Sequence, residues 1–335
     1  MKLLTVTVPC YNSQDYMEKC VESLLIGGEK VEIIIIDDGS KDNTGVIADA
    51  YAEKYPTIVR VIHQENGGHG EGINQGLKHA TGTYFKVVDS DDVLSEDFPA
   101  FLETLAECNR NSVDLVLTNY YYVHTDGEGD KSLHYTNALP VNKVFGWNEV
   151  GTFRPYQLMT IHSCTFRTEA MRKWGQALPK HVFYEDNLMV YQTLPHVEKM
   201  YYSNIDLYRY WIGRPDQSVQ RSVMTKRYQH QLLVTERCFT SCHLDELKSK
   251  RLQKYLRHEL FVMFAISILY ARLNCSEEAD RNLEEMFARC RGYDRKWADH
   301  FRYRSVLRLI CIPGKFGQNL VEWVYNTSNK IVRFN

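Results

Sequence analysis

The near-continuous apolar run from Val31 to Ile36 constrains the fold of this chain more than any other feature of its sequence. A strand with one face in water alternates apolar and polar residues, and this run does not. Strands buried on both faces have this pattern, and they are typical of parallel sheets whose faces are covered by helices. The run therefore predicts a buried parallel strand.

Strand-like and helix-like segments alternate through residues 1–95, with short turns between them. We predict strands at residues 3–8, 31–36, 59–62 and 84–88. We predict helices at residues 16–25, 44–55 and 73–79, the first of them capped by Ser13. This order indicates an α/β fold with a doubly wound, mainly parallel sheet.

Three of the predicted strands end in polar residues, namely Tyr11-Asn12, Asp37-Asp38 and the cluster Asp89-Ser90-Asp91-Asp92. The carboxyl ends of parallel strands meet at one edge of a sheet, where ligands bind, so these ends are expected to share a ligand. Closely spaced carboxylates repel one another unless a cation lies between them, and Mg²⁺ or Mn²⁺ accompanied by phosphates fits such a cluster. The alternative is a solvated acidic turn that caps the next helix.

The pattern changes after residue 95. Residues 96–220 mix predicted helices and strands around an irregular polar stretch, and residues 221–335 are predicted to be helical. We therefore predict one domain over residues 1–220, divided into halves at residue 95, and a helical C-terminal region. The apolar stretch from Leu260 to Ala271 is too short to span a bilayer and is predicted to be a buried helix.

Composition and motif spacing exclude several classes of function. A formal net charge of −2 gives no reason to expect binding to nucleic acid. Nine scattered cysteines, an odd number, predict reduced thiols in a cytoplasmic protein and not a disulfide framework. A dinucleotide fingerprint fails because Ile73 stands where its third glycine belongs, and no P-loop motif occurs.

Several motifs resemble, in order and spacing, those of family-2 glycosyltransferases, which have the GT-A fold. They are Val8-Pro9-Cys10-Tyr11-Asn12, Ile36-Asp37-Asp38-Gly39-Ser40, Glu65-Asn66-Gly67-Gly68, Ala80-Thr81-Gly82-Thr83-Tyr84, Asp89-Ser90-Asp91-Asp92 and, farther on, Tyr184-Glu185-Asp186-Asn187. The stronger match covers residues 3–95 and a weaker one extends to about residue 211. The resemblance implies that residues 1–95 bind a nucleotide sugar and that residues 96–220 form the acceptor half.

The resemblance also implies roles for single residues. The residues expected to bind the nucleotide are Pro9, Tyr11, Asn12, Asp38, Gly68, His69, Asp89 and Arg214. Tyr11 would stack on the base, and Asp38 would accept a hydrogen bond from the imide N–H of the base. Asp91 would be the main ligand of Mn²⁺ or Mg²⁺, with Asp89 at the metal or the ribose, while the role of Asp92 stays open.

Asp186 is the candidate base. Family-2 enzymes invert the anomeric carbon by direct displacement, so the attacking hydroxyl must lose a proton, and a carboxylate within hydrogen-bond reach can take it. The alternative is that Glu185 and Asp186 only favour the N-terminus of a helix predicted at residues 187–194. Trp147, His162 and Ser163 also fall in the acceptor half, where an aromatic ring can stack on a sugar, although a core position is commoner for Trp.

One departure from the family pattern concerns the glycine-rich turn, Asn66-Gly67-Gly68-His69-Gly70-Glu71-Gly72. The family often has an Arg-Asn pair after this turn, and the present chain has Ile73-Asn74 there, so the arginine is missing. The glycines and His69 would instead let backbone N–H groups approach the phosphates. The other interpretation of His69 is a simple turn residue.

The implied function is metal-dependent, inverting transfer from a nucleotide sugar, first of all a UDP-sugar, to a hydroxyl of a glycan or lipid-linked glycan. The missing arginine suggests an alternative, a nucleotide-sugar-binding protein without transferase activity. A sugar nucleotidyltransferase would have a glycine-rich, Arg-containing loop after the first strand, where this chain has Pro9-Cys10-Tyr11-Asn12.

The C-terminal region combines basic and apolar residues. The basic ones are Arg302, Arg304, Arg308 and Lys315. Such a segment predicts either peripheral contact with an anionic membrane, here the inner face of the cell membrane, or an amphipathic helix docked on the protein.

Overall fold

The structure is a computed structural model that describes residues 2–124, 131–212 and 220–332. The chain divides into two compact units. The first comprises Met1–Phe153 with Met159–Trp211, and the second comprises Arg154–Leu158 with Ile212–Asn335. The boundary predicted at residue 220 therefore lies within the second unit.

The described part of the first unit is an α/β structure built on one sheet. Its strands are β1 (Leu4–Cys10), β2 (Val31–Asp37), β3 (Val59–His63), β4 (Tyr84–Val87), β5 (Val93–Leu94), β6 (Leu115–His124), β7 (Lys131–Leu133), β8 (Val144–Phe145), β9 (Cys164–Arg167) and β10 (Met200–Ile212). Its helices are α1 (Met17–Leu25), α2 (Thr44–Lys54), α3 (His69–His79), α4 (Phe98–Arg110), α5 (Thr168–Trp174) and α6 (Glu185–Thr193).

The first four strands confirm the predicted parallel sheet. The strand order is β3-β2-β1-β4-β9-β6-β10-β5, with β7 beside β6 and β8 beside β10. Strand β1 pairs in parallel with β2 and with β4, and β2 pairs in parallel with β3. Every residue of β1 and β2 is buried, as the apolar run predicts. The helices α1, α2 and α3 pack on these strands.

The later strands extend the sheet in a different way. Strand β9 pairs antiparallel with β4 and with β6, and β10 pairs antiparallel with β5 and β8. Tyr208, within β10, and His162, just before β9, thereby lie beside Asp89 after the end of β4. The mixed half of the sheet therefore adds side chains to an edge that the parallel half defines.

Helix α3 begins at His69, four positions before the predicted start at Ile73. The glycines at positions 70, 72 and 76 argue against a helix by intrinsic propensity. These positions are nevertheless helical. The helix packs so closely on β1 that a Cβ on Gly72 would lie 2.9 Å from Pro9 Cβ, so this contact requires glycine. Tertiary packing thus overrides local preference here.

In the second unit, the described residues from 221 onward are mainly helical, as predicted. Its helices are α7 (Arg221–Lys226), α8 (Tyr228–Phe239), α9 (Lys250–Asn274), α10 (Glu277–Tyr293), α11 (Arg295–Asp299) and α12 (Gly314–Val332). The apolar stretch of α9 is buried at Leu260, Phe264 and Ile268, which confirms the predicted buried helix. Among the helices that the structure describes, none has the length and hydropathy that a membrane span requires.

Candidate functional site

The ends of β1, β2 and β4 meet at one edge of the sheet, as the parallel arrangement predicts. Asp38 N donates to Cys10 O at 2.9 Å, which joins the ends of β2 and β1. Ser13 and Ser90 join the ends of β1 and β4 through their Oγ atoms, 2.9 Å apart. The prediction that Ser13 caps α1 is wrong, because the N-cap position is Tyr16, without a side-chain hydrogen bond. Ser13 Oγ instead faces Tyr11 N and Ser90.

The glycine-rich turn is fixed to the end of β2 by the carboxylate of Asp38. Gly67 N and Gly68 N donate to its two oxygens at 2.7 and 2.8 Å, and Gln64 Nε2 donates at 2.6 Å. Gly68 has φ +84°, and a Cβ there would lie 2.9 Å from His181 N, so only glycine fits. The buried carboxylate of Asp38 therefore orders the turn. Its predicted role as an acceptor for the imide N–H of the nucleotide base stays a prediction.

Three side chains at this edge could hold a metal ion. Asp89, Asp92 and His162 each offer one ligand atom, and these atoms lie within 4.8 Å of one another. Asp89 is the residue that the sequence places at the metal or the ribose. Asp91 is not part of this group, so its assignment as the main ligand stays a prediction. The group instead includes Asp92, whose role the sequence left open, and His162, which the sequence placed in the acceptor half without a role at the metal.

The electrostatics of the cluster fit a divalent cation. Asp92 is fully buried, accepting from Tyr208 Oη at 2.7 Å and from Trp211 N at 2.9 Å. Burial and the neighbouring Asp91 and Asp89 carboxylates raise the pKa of Asp92 well above its usual value. Two carboxylates and an imidazole are a donor set that Mn²⁺ accepts readily, and a cation there would relieve the repulsion.

His69 lies between two carboxylates. Its Nε2 is 3.0 Å from Asp89 Oδ1, and its Nδ1 is 2.7 Å from Glu185 Oε1. Burial acts to lower the pKa of His69, but the two hydrogen bonds raise it well above its ordinary value. Burial acts to raise the pKa of Asp89, but the contacts with His162 and His69 outweigh this effect and lower its pKa. The assignment of His69 to the nucleotide stays a prediction, since both ring nitrogens face carboxylates here.

Asp186 occupies the first turn of α6, directly after the buried Glu185. The helix begins at Glu185, two positions before the predicted start, and no side chain caps it. Removal of water from the Asp186 carboxyl and the nearby Glu185 carboxylate raise the pKa of Asp186 to about 6, against the opposing effect of His162 and His69. A carboxyl group with this pKa is suited to accept a proton near neutral pH.

The remaining predicted residues differ in accessibility. Tyr11 is 50% exposed at the end of β1, where a ring can stack on a flat ligand. Asn12 is exposed, and its Oδ1 accepts from Lys41 N at 2.8 Å. Pro9 is buried in β1. Arg214 lies outside the described residues. Trp147 is in the core and donates to Val197 O, so it does not stack on a sugar.

Sequence reasoning missed Lys86 and Tyr208. Lys86 is fully buried in β4 and donates to His162 O at 2.7 Å and Cys164 O at 3.3 Å, while burial lowers its pKa to about 8. Tyr208 Oη contacts Asp92 and accepts from Asp89 N at 3.1 Å. A lysine inside an apolar strand is a signal that could have indicated a buried polar contact. Nothing in the sequence around Tyr208 marks it.

Comparisons with known proteins bear on the family and the fold of the chain. The family model described as glycosyl transferase family 2 matches residues 5–172. The glycosyltransferase GlyG of Streptococcus pneumoniae is 42% identical over 130 residues, which is 38% of this chain and 42% of GlyG. The uncharacterized glycosyltransferase EpsJ of Bacillus subtilis is 39% identical over 197 residues, which is 58% of this chain and 53% of EpsJ. The matched part thus spans about half or less of each relative.

Solved structures share the fold. S. aureus TarS 1–349 in complex with UDP-GlcNAc has a TM-score of 0.69 at 17% identity, covering 98% of this chain and 92% of that one. The mannosyltransferase PcManGT from Pyrobaculum calidifontis, in complex with GDP-Man and Mn²⁺, has a TM-score of 0.54 at 15% identity, covering 92% of this chain and 86% of that one. The predicted GT-A fold with a helical C-terminal region is thereby confirmed.

Proposed function

The chain belongs to glycosyl transferase family 2, and on this basis we propose that it transfers a sugar from a nucleotide sugar to a hydroxyl of a glycan or lipid-linked glycan. The proposed donor is a UDP-sugar, the ligand class named for TarS. The observation that carries the proposal is a candidate cation site, formed by Asp89, Asp92 and His162, at the same sheet edge as Asp186, a carboxyl group whose pKa is raised to about 6. A displacement at an anomeric carbon needs a cation that stabilises the leaving diphosphate and a base that takes the proton of the attacking hydroxyl, and these two features would supply them.

The donor side is proposed to use the strand ends. Tyr11 would stack on the base, and the turn held by Asp38 would present Gly68 near the phosphates. Asp89, Asp92 and His162 would hold a divalent ion, with Asp91 as a further candidate ligand. When bound, Mn²⁺ or Mg²⁺ would stabilise the negative charge of the diphosphate leaving group. Tyr208 and the backbone N–H of Trp211 would orient the carboxylate of Asp92.

The acceptor side is proposed to use Asp186. Its carboxylate would take the proton of the acceptor hydroxyl while that oxygen bonds to the anomeric carbon. The bond from the anomeric carbon to the phosphate oxygen breaks at the same time, and the nucleoside diphosphate leaves with the electron pair. Attack opposite the leaving group inverts the anomeric configuration. A product that keeps the configuration of the donor would contradict this mechanism.

Donor binding is tested by thermal unfolding with UDP-GlcNAc, UDP-glucose or GDP-mannose, each with and without Mn²⁺. A ligand at 100 times its Kd adds about 2.7 kcal/mol to the free energy of unfolding. We expect the stabilisation to need both a UDP-sugar and Mn²⁺, and to be lost in Asp89→Asn. Asp97→Asn, an exposed aspartate nearby, is the matched control and should behave as wild type. Equal stabilisation in excess EDTA would contradict the metal-dependent proposal.

Release of UDP distinguishes an enzyme from a binding protein. The alternative, a nucleotide-sugar-binding protein without transferase activity, predicts stabilisation by the donor without any turnover. The transferase predicts Mn²⁺-dependent release of UDP that a glycan acceptor accelerates. Comparing Asp91→Asn with Asp92→Asn in this assay also decides which carboxylate is the stronger metal ligand.

We further propose that the C-terminal region contacts an anionic lipid surface, at the inner face of the cell membrane. In the described part of this region, large apolar side chains are exposed at Tyr303, Val306, Leu309, Phe316 and Trp323. The basic residues Arg304, Arg308 and Lys315 are exposed as well. Apolar insertion together with positive charge favours anionic headgroups. Leu307 and Ile310 are buried, so only part of the predicted amphipathic surface is free for this contact.

Sedimentation with vesicles tests this contact. The chain should bind vesicles of anionic phosphatidylglycerol and not vesicles of neutral phosphatidylcholine. Binding should weaken as salt rises, because salt screens exposed charges. Leu309→Ser with Phe316→Ser should weaken binding without changing donor hydrolysis. Val46→Ser on the first unit is the control, since Val46 is about as exposed as Phe316. Equal binding to both vesicle types at high salt, or none to either, would contradict the proposal.

A further inference from the structure

The first turn of α3 and the first turn of α6 face each other across a single imidazole ring. His69 opens α3 and Glu185 opens α6. The two ring nitrogens of His69 contact different carboxylates, Nε2 that of Asp89 and Nδ1 that of Glu185. Asp89 belongs to the candidate metal cluster, and Glu185 directly precedes the candidate base. One side chain therefore touches both halves of the site.

Hydrogen bonds to its backbone tie the segment before α6 to α3 and to the glycine-rich turn. Asn74 holds Leu178 from both sides, since its Nδ2 donates to Leu178 O at 3.0 Å and its Oδ1 accepts from Leu178 N at 2.9 Å. His181 N donates to Gly67 O at 2.8 Å. The segment of residues 178–186 thus lies along the glycine-rich turn and the first half of α3.

Close packing leaves this segment little freedom. A Cβ on Gly70 would lie 2.9 Å from Glu185 Cγ and 3.1 Å from Leu178 Cβ. Glu185 is almost completely buried, with 2% of its side chain exposed, and His69 Nδ1 is 2.7 Å from its Oε1. A buried carboxylate that loses its hydrogen-bonding partner is strongly disfavoured, so Glu185 depends on His69 for its position.

We propose that His69 is a positioning residue that holds Asp89 on the donor side and Glu185 on the acceptor side at a fixed separation. The candidate base Asp186 is placed through its covalent neighbour Glu185. This inference rests on the proposed transferase function for its catalytic meaning, because positioning matters only if Asp186 acts on a bound donor. Misplacement of a catalytic group by about 1 Å can cost roughly 10²-fold in rate.

Two conservative variants separate the two contacts of the ring. In His69→Gln the side-chain amide nitrogen can occupy the place of Nε2 and donate to Asp89. In His69→Asn it can occupy the place of Nδ1 and donate to Glu185. His69→Ala removes both contacts, and His79→Ala at the opposite end of α3 is the control.

The kinetic test uses UDP release from the UDP-sugar that the wild type hydrolyses best. We expect kcat/KM to fall about 10²-fold in His69→Ala. His69→Gln should recover the KM for the donor while kcat stays low. His69→Asn should recover kcat while KM stays high. An equal fall of kcat in all three variants with KM unchanged, or wild-type kinetics in His69→Ala, would overturn the proposal.

Hydrogen exchange of the free protein tests the clamp without any donor. His69→Ala should accelerate amide exchange about tenfold in peptides covering residues 178–187 and leave α9 unchanged. Unchanged protection of residues 178–187 would overturn the clamp, whatever the activity. If the wild type releases UDP from no sugar nucleotide while this exchange result holds, the proposed function fails and the clamp stands.

Discussion

Residues 4–94 and residues 115–212 both supply side chains to the candidate site, but they do so in different ways. In the first region the polar groups follow directly on parallel strands, as Asp38 follows β2 and Asp89 follows the end of β4. In the second region they lie inside or between antiparallel elements. Tyr208 is within β10, His162 precedes β9, and Asp186 lies in the first turn of α6.

The difference follows from sheet geometry. Parallel strands all end at the same edge, so a polar residue after a buried run is already placed by the chain order. Antiparallel strands bring either end or the middle of a strand to that edge, depending on register. In the first region, functional positions can therefore be predicted from the sequence. In the second region they depend on which strands pair and in which register, which the sequence does not show directly. The following predictions, in order of decreasing effect on turnover, test whether the second region is as necessary as the first.

The largest effect is expected for Asp186→Asn. This nearly isosteric change removes the proton acceptor, so transfer should fall by about 10²–10⁴-fold while the donor still binds. Glu185→Gln is the matched comparison and should cost less, because neighbouring residues of a helix cannot both face one atom. An active Asp186→Asn beside an inactive Glu185→Gln would show that the wrong carboxylate is assigned.

A smaller effect is expected for Tyr208→Phe. The change keeps the ring and removes the hydroxyl that hydrogen-bonds Asp92 at 2.7 Å. Loss of such a supporting hydrogen bond should weaken Mn²⁺ binding by about 10–100-fold, measured as the Mn²⁺ concentration that gives half-maximal turnover. Tyr201→Phe, on the same strand, should leave that concentration unchanged. If both variants respond alike, the second region does not support the metal cluster.

Lowering the pH from about 7 to 5 should reduce kcat/KM about tenfold. The pKa of Asp186 is raised to about 6 by loss of water and by Glu185, with Asp89 acting in the same sense and His162 and His69 in the opposite one. The base must be ionised, so kcat/KM should be constant above about pH 7 and fall about tenfold by pH 5. The residual activity of Asp186→Asn should lack this inflection. If the inflection persists in that variant, another group titrates.

Gly76→Ala should act mainly on the stability of the fold. A Cβ on Gly76 would lie 2.5 Å from Thr7 Cβ, so α3 would be pushed away from β1, at a cost of about 1–3 kcal/mol in the free energy of unfolding. Gly292→Ala is the control in α10, where nothing lies within 4 Å of an added Cβ and the helix should gain up to about 1 kcal/mol. Chemical denaturation measures both. A neutral Gly76→Ala would show that the packing of the first region is looser than described.

The sequence predicted the first region well and the second only in part. The run from Val31 to Ile36 indicated a buried parallel strand, and the structure has one. The start of α3 was misplaced, because glycine propensity points away from a helix that close packing nevertheless requires. Ser13 was assigned to a helix cap, whereas its hydroxyl joins two strand ends, a contact between residues far apart in the chain.

By itself, the sequence determined the parallel half of the sheet and the polar residues at its edge, because the apolar pattern of each strand and the order of the elements can be read along the chain. Only the tertiary structure brought His162 to Asp89 and Asp92, placed Tyr208 against Asp92 and set His69 between Asp89 and Glu185. Those contacts join residues as much as 116 positions apart. They depend on antiparallel register and on helix packing, which no short stretch of sequence specifies.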